Sequence, residues 1–266
     1  MKISLHHFTI WDVSAEELID IAAQLRCDHI CTFVKTPREL PLPLPIVESV
    51  RRAQTLRDRA TKAGVSVYNT DTFVIGETEP AAHEESLEIS SALGATTINS
   101  IYRSCERGLA ARKLAAFARM AAKYNIAVLY EWSRLSKVRT LSDSIDFLRM
   151  VNEPNVQLNV DVLHLIRNGE HPADLGKADP GIIQYAQLSD GPAVLSEAEH
   201  VQEAMGERNF PGMGEFPLIE FVQKLPTTAV VAVESPVNRM RGVLSPTERA
   251  TRAVDGTRRI LAAAGR

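Results

Sequence analysis

The chain reads as an α/β protein, a (β/α)8 barrel in which eight strand–helix units close on themselves. Two regularities and one absence predict it. Short, apolar, β-branched segments alternate with stretches of helical period, and eight such units recur roughly 33 residues apart, the length a βα unit needs. No Gly-x-Gly-x-x-Gly follows any of the strands, as a dinucleotide-binding open sheet would show. A chain of 266 residues suffices for one such barrel over 1–266.

The first unit is "ISLHHF" (3–8) with a helix over 14–25, where Ser14 and Glu17 have the spacing of a capping box. "HICTFV" (29–34) leads through the proline-rich "PRELPLPLP" into a helix over 46–63, closed by Gly64. "VSVYNT" (65–70) precedes the helix 81–93, which Gly94 ends, and "TTINSI" (96–101) precedes an alanine-rich helix over 108–124. "IAVLYE" (126–131) is followed by a helix over 141–151, and "VQLNVD" (156–161) by a short one before Gly181. "IIQYAQL" (182–188) runs into a long βα loop, 189–215, and a helix near 216–224. "AVVAVE" (229–234) and a helix over 246–264 complete the ring.

Composition narrows the function. The net charge of −3 lacks the basic excess of a nucleic-acid-binding surface. No apolar run has the length of a membrane span, and the first dozen residues lack the apolar core of a secretion signal. Cys27, Cys31 and Cys105 form no disulfide pattern and read as small core thiols, so a reducing, cytoplasmic setting is expected.

The last four strands carry Glu131, Asp161, Gln187 and Glu234 at or next to their C-terminal ends. In a closed barrel those ends converge on the rim where active sites of this fold lie. Single acids just past strands are commonly helix N-caps. Three carboxylates on one rim repel one another, and a divalent cation resolves the repulsion. Oxygen ligation of this kind suits Mn2+ or Mg2+, with Zn2+ or Co2+ as alternatives.

Around this set, His164 lies three residues beyond Asp161, within reach of a substrate oxygen. The long loop carries Asp190 and "RNFPGMGE", in which Arg208 offers a guanidinium to an oxyanion and Gly212 and Gly214 allow sharp turns. Of the first-strand pair, His7 is expected at the rim as a substrate contact because it is nearer the strand end. Phe8, Trp11, Phe33, Phe73, Tyr102 and Trp132 fall at or past strand ends, as core or as pocket wall, whereas His83, His171 and His200 are expected at the surface.

With these elements the chain resembles the sugar phosphate isomerase/epimerase family, the xylose-isomerase-like metal-dependent barrels, over nearly all of 1–264. The resemblance is carried by "LYE" at Glu131, "NVDVLHLIRNGEHP" with Asp161 and His164, "YAQLSDG" with Gln187 and Asp190, "ERNFPGMGEFPL" with Arg208, and "VAVE" at Glu234. It implies one divalent cation held by Glu131, Asp161, Gln187 and Glu234. It also implies Glu131 and Glu234 as an acid/base pair, with His164 and Arg208 on substrate oxygens. The third ligand departs from the family pattern, with Gln187 where histidine is usual and Ser189 where lysine is usual. That glutamine resembles the branch that dehydrates 3-dehydroshikimate.

A cation chelated by adjacent carbonyl and hydroxyl oxygens acidifies the carbon between them. Return of the proton then gives epimerisation or isomerisation, and loss of a neighbouring hydroxyl gives dehydration. The sequence therefore points to a metal-dependent isomerase or epimerase of a polyhydroxylated carbonyl compound. Its alternatives are a dehydratase of a cyclic hydroxy-ketone acid, or a non-catalytic ligand-binding barrel. The partner expected is a small molecule, not nucleic acid or membrane, with self-association left open.

Overall fold

The computed structural model describes residues 1–35, 43–76, 78–103 and 105–266; residues 36–42 of the proline-rich connection lie outside them. Eight parallel strands close in chain order: β1 (Ile3–His6), β2 (His29–Phe33), β3 (Ser66–Ile75), β4 (Thr97–Tyr102), β5 (Ala127–Glu131), β6 (Val156–Asp161), β7 (Ile183–Leu188) and β8 (Val230–Val233). β1 pairs with β8, so no edge is left open.

Helices α1 (Ala15–Gln24), α2 (Val50–Lys62), α3 (Glu84–Leu93), α4 (Arg107–Ala122), α5 (Leu141–Val151) and α6 (Val162–Arg167) follow the first six strands. Then α7 (Glu197–Gly206) and α8 (Leu218–Lys224) follow β7, and α9 (Pro246–Ala263) follows β8. The Ser14–Glu17 capping box forms at the start of α1, and Gly94 ends α3 at φ +83°, a left-handed conformation that costs glycine nothing. No helix among the described residues is long and apolar enough to cross a membrane.

Strand side chains alternate faces, and two sets of apolar residues result. One face packs against the helix ring and forms the main core, with Leu5, Val128, Leu158 and Val231 among its members. The other face fills the barrel, where Leu129, Tyr185, Val230 and Ala232 form a separate cluster. Counting in twos from this inner set fixes the rim. Glu131 is in phase with Leu129, Gln187 with Tyr185, and Glu234 with Ala232. The same count brings Asp161 in above Asn159, Asp71 above Asn69, and His6 above Ser4.

Two strands differ from the sequence reading. β3 runs five residues beyond the expected Thr70, because register shifts against β2 and β4 break the period of two that marks a strand. β1 ends at His6, where the chain turns into a 3-10 turn over His7–Ile10. The long loop after β7 is also not structureless. It contains α7 and is organised by Asp190, whose carboxylate accepts the backbone N–H groups of Gly191, Gly212, Gly214 and Phe216 at 2.9–3.0 Å. Gly214 is required there, since a Cβ would stand 2.4 Å from Asp190 Oδ1.

Candidate functional site

The C-terminal rim gathers the residues of the last four strands and buries all of them. Asp161 ends β6 and α6 begins at the next residue, so no loop separates strand from helix. Its Oδ1 accepts the Leu163 N–H at 2.8 Å as a helix N-cap, while Oδ2 turns to Arg208 at 3.0 Å. The cap and the site function thus use different oxygens of one carboxylate. Because α6 starts at once, His164 stands one helical turn above Asp161. Its Nε2 lies 3.3 Å from Glu131 Oε1 and 3.9 Å from Asp161 Oδ2. Burial opposes a charge on this ring, but Glu131 and Asp161 outweigh it and raise the His164 pKa.

Beneath the acids lies a layer of amides that sequence reading missed. Asn99 donates to Glu131 Oε2 at 2.5 Å, and Asn159 donates to the same oxygen at 3.2 Å. Asn159 also donates to Gln187 Oε1 at 2.6 Å. Glu131 is therefore held from below by two amides and from above by His164. Gln187 keeps one carbonyl lone pair after serving Asn159. The signal for this layer was the inward phase of Asn99 and Asn159, two residues below the rim.

Arg208 was expected to meet substrate. The structure places it 3.5 Å from Glu234 Oε2 as well as against Asp161, with the Glu234 carbonyl at 3.0 Å. Burial pushes Glu234 up to about 7, against the lowering pull of Arg208 and His6. Glu234 Oε2 is sealed from solvent without a hydrogen-bond partner.

The site accommodates a cation. Ligand-type atoms of Glu131, Asp161 and His164 lie within 4.8 Å of one another, and Glu234 adds a buried oxygen that receives no hydrogen bond and has only the Arg208 guanidinium at 3.5 Å. The expected set of Glu131, Asp161, Gln187 and Glu234 is thus brought to one rim, with His164 closer to the acids than its spacing alone implied.

His7 requires a correction. It is fully buried with both ring nitrogens engaged, Nδ1 with the Thr32 hydroxyl and Nε2 with the Val13 carbonyl, each at 3.0 Å. Alternation turns it outward to the helix layer, and burial lowers its pKa to about 4. His6 points inward instead, with Nε2 3.2 Å from Asp71 Oδ2. His83, expected at the surface, is buried against Phe73 and Phe117 and contacts Lys35 Nζ at 3.1 Å.

His6, Cys31 and Asp71 also bring ligand-type atoms within 4.8 Å of one another. Metal ligation through His6 Nε2 would require the ring proton on Nδ1. Nδ1 already accepts the Phe8 N–H at 3.1 Å, and burial pushes the Cys31 thiol up to about 11. As they stand, His6 orients Asp71 through Nε2.

Between these groups opens a cavity of about 90 Å3. Asp71, Arg103, Glu131, His164, Arg208 and Glu234 supply its polar wall, and Phe8 and Phe33 part of its apolar wall. Phe73, Tyr102 and Trp132 belong to the core.

The family model described as xylose isomerase-like TIM barrel matches residues 19–260. The chain belongs to that family. No curated protein matches it by sequence. Among solved structures it is similar to the IolI protein with a bound zinc atom (TM-score 0.76, 17% identity, 98% of each chain covered). It is similar to the probable 3-DHS dehydratase AsbF of Bacillus anthracis (TM-score 0.78, 14% identity, 97% of this chain and 99% of that one). It is also similar to D-psicose 3-epimerase solved with D-fructose (TM-score 0.76, 16% identity, 100% of both chains). At these identities the likeness establishes the fold.

Proposed function

We propose that the protein is a divalent-metal-dependent isomerase or epimerase acting by enolisation on a polyhydroxylated carbonyl compound. The observation that carries this reading is the set of buried acids at three strand ends, Glu131 and Glu234 lining one cavity with His164, and Asp161 and Gln187 buried next to them on β6 and β7. Glu131, Asp161, Gln187 and Glu234 would hold the cation. When bound, it supplies Lewis-acid polarisation of a carbonyl and an adjacent hydroxyl, which acidifies the carbon between them.

Glu131 and Glu234 stand on β5 and just past β8, so a small molecule between them presents one face to each. Glu131, fixed by Asn99, Asn159 and His164, takes the proton. Glu234, on the opposite side of the cavity, returns one from the other face. Phe8 and Phe33 cover part of the cavity and limit water there.

Gln187 at the third ligand position favours a second reading, dehydration of a cyclic hydroxy-ketone acid. There the first proton removal is the same, and His164, held toward its charged form, protonates the departing hydroxyl. The structural neighbours include both a probable dehydratase and an epimerase.

The test is solvent exchange. Metal-loaded protein in D2O, given ketoses and 3-dehydroshikimate, should place deuterium next to the carbonyl. Glu131→Gln and Glu234→Gln should each lower exchange more than ~100-fold. Full exchange in either variant would remove that residue from the proton path, and failure to bind any divalent metal would overturn the metal site.

A further inference from the structure

We infer that the substrate carries a carboxylate and that Arg103 is the residue that binds it. For the chemistry at the other end of the molecule this deepens, and rests on, the enolisation reading; the anion site stands on its own geometry. Arg103 directly follows β4 and continues the inward row of Asn99 and Ile101. In a closed ring of eight strands, β4 is as far as possible from β8, which carries Glu234 next to its end. Arg103 thus lies across the cavity from Glu234 and next to the strand of Glu131, so a ligand held between the two glutamates has Arg103 on its β4 side.

The other cationic groups of the cavity have their counter-charges within the protein. Arg208 is taken up by Asp161 and Glu234, and His164 by Glu131 and Asp161. Arg103 lines the same cavity, but its Nε is sealed from solvent with no acceptor, and no ion pair among the described residues engages its guanidinium. A donor group held in this way without a partner is satisfied when an oxyanion arrives.

The fork of a guanidinium matches a planar carboxylate in a bidentate pair. Phosphate sites usually add backbone N–H groups from a glycine-rich turn or helix N-terminus, and the cavity wall offers Ile101, Leu135, Phe8 and Phe33 instead. The substrate class is thus a hydroxy-ketone or hydroxy-aldehyde acid, its carbon skeleton against the apolar wall and its carboxylate on Arg103. The carboxylate takes no part in bond making or breaking. A neutral ketose would leave Arg103 unanswered.

Binding, read without turnover, tests this. Affinities of the Mn2+-loaded protein are measured by calorimetry for shikimate and its methyl ester, gluconate and glucitol, and ribose 5-phosphate. The measurements are repeated on Arg103→Gln and Arg103→Lys, whose unliganded melting temperatures check the fold. At least one acid should bind the unmodified protein ~10- to 100-fold more tightly than its neutral counterpart. That preference should vanish in Arg103→Gln and return in part in Arg103→Lys. The inference falls if no acid is preferred over its neutral counterpart, or if Arg103→Gln keeps the preference. It falls equally if the phosphate ester alone shows Arg103-dependent binding. Arg103-dependent carboxylate binding with no deuterium exchange on any carbonyl compound would break the enolisation reading and leave the anion site standing. Exchange on a neutral ketose, unchanged in Arg103→Gln, would do the reverse.

Discussion

The two halves of the barrel present different chemistry to one cavity. Strands β5 to β8 end in Glu131, Asp161, Gln187 and Glu234, with Arg208 and His164 packed among them as counter-charges. The inward residues of the first half include His6 at the end of β1, Asp71 within β3 and Arg103 just past β4, with Cys31 grouped with His6 and Asp71. The first half holds its outward histidines neutral. Burial lowers His7 and His83 to about 4, whereas the carboxylates of the second half raise His164. The inward His6 differs from these two: burial opposes its charge, but Cys31, Glu234 and Asp71 raise its pKa, so the halves meet electrostatically at that ring.

Removing the counter-charge of the acidic half should have the largest effect. Arg208→Met leaves Asp161 and Glu234 buried without their guanidinium, and should cost about 3–5 kcal/mol in urea unfolding of metal-free protein. Saturating Mn2+ should recover more stability in this variant than in the unmodified chain. A loss below about 1 kcal/mol would show that the acidic half does not depend on Arg208.

Acid should act through the other half. The folded-state pKa values of His7 and His83 lie below the unfolded value near 6.5, so the unfolded chain binds protons more readily. Their stabilising contribution is complete above pH ~6.5 and is lost as pH falls toward 4. The loss is on the order of 2–3 kcal/mol for each ring. Urea midpoints between pH 7 and 4.5 should fall accordingly, and His83→Gln should flatten the fall. An unchanged slope in that variant would show that His83 takes up its proton in the folded state.

A smaller effect is expected at the segment that closes the acidic half. Asp190→Asn weakens four backbone hydrogen bonds that shape 189–216 and should cost about 1–3 kcal/mol. Faster proteolysis within that segment, with the barrel intact, is the expected result. Unaltered cleavage would place the loop's order in the Arg167–Glu203 ion pair that joins α6 to α7.

The acidic half was legible because each of its strands is a short apolar or alternating run with a charged or amide residue at or next to its end. In the other half the signal was obscured. Register shifts in β3 carry the strand past Thr70 and hide Asp71, and the residue nearest the end of the first unit, His7, is turned outward. Arg103 sits one residue past β4, beyond the apolar run that marks the strand.

Period and spacing determined the barrel, the order of its units and the residues that end β5 to β8, because alternation and chain connectivity are local properties. Tertiary structure decided which charges neutralise one another. It seated Arg208 between two acids, joined Asn99 on β4 to Asn159 on β6 beneath Glu131, and left Arg103 facing the cavity. Those outcomes depend on distances between residues far apart in the chain, and only closure of the ring sets them.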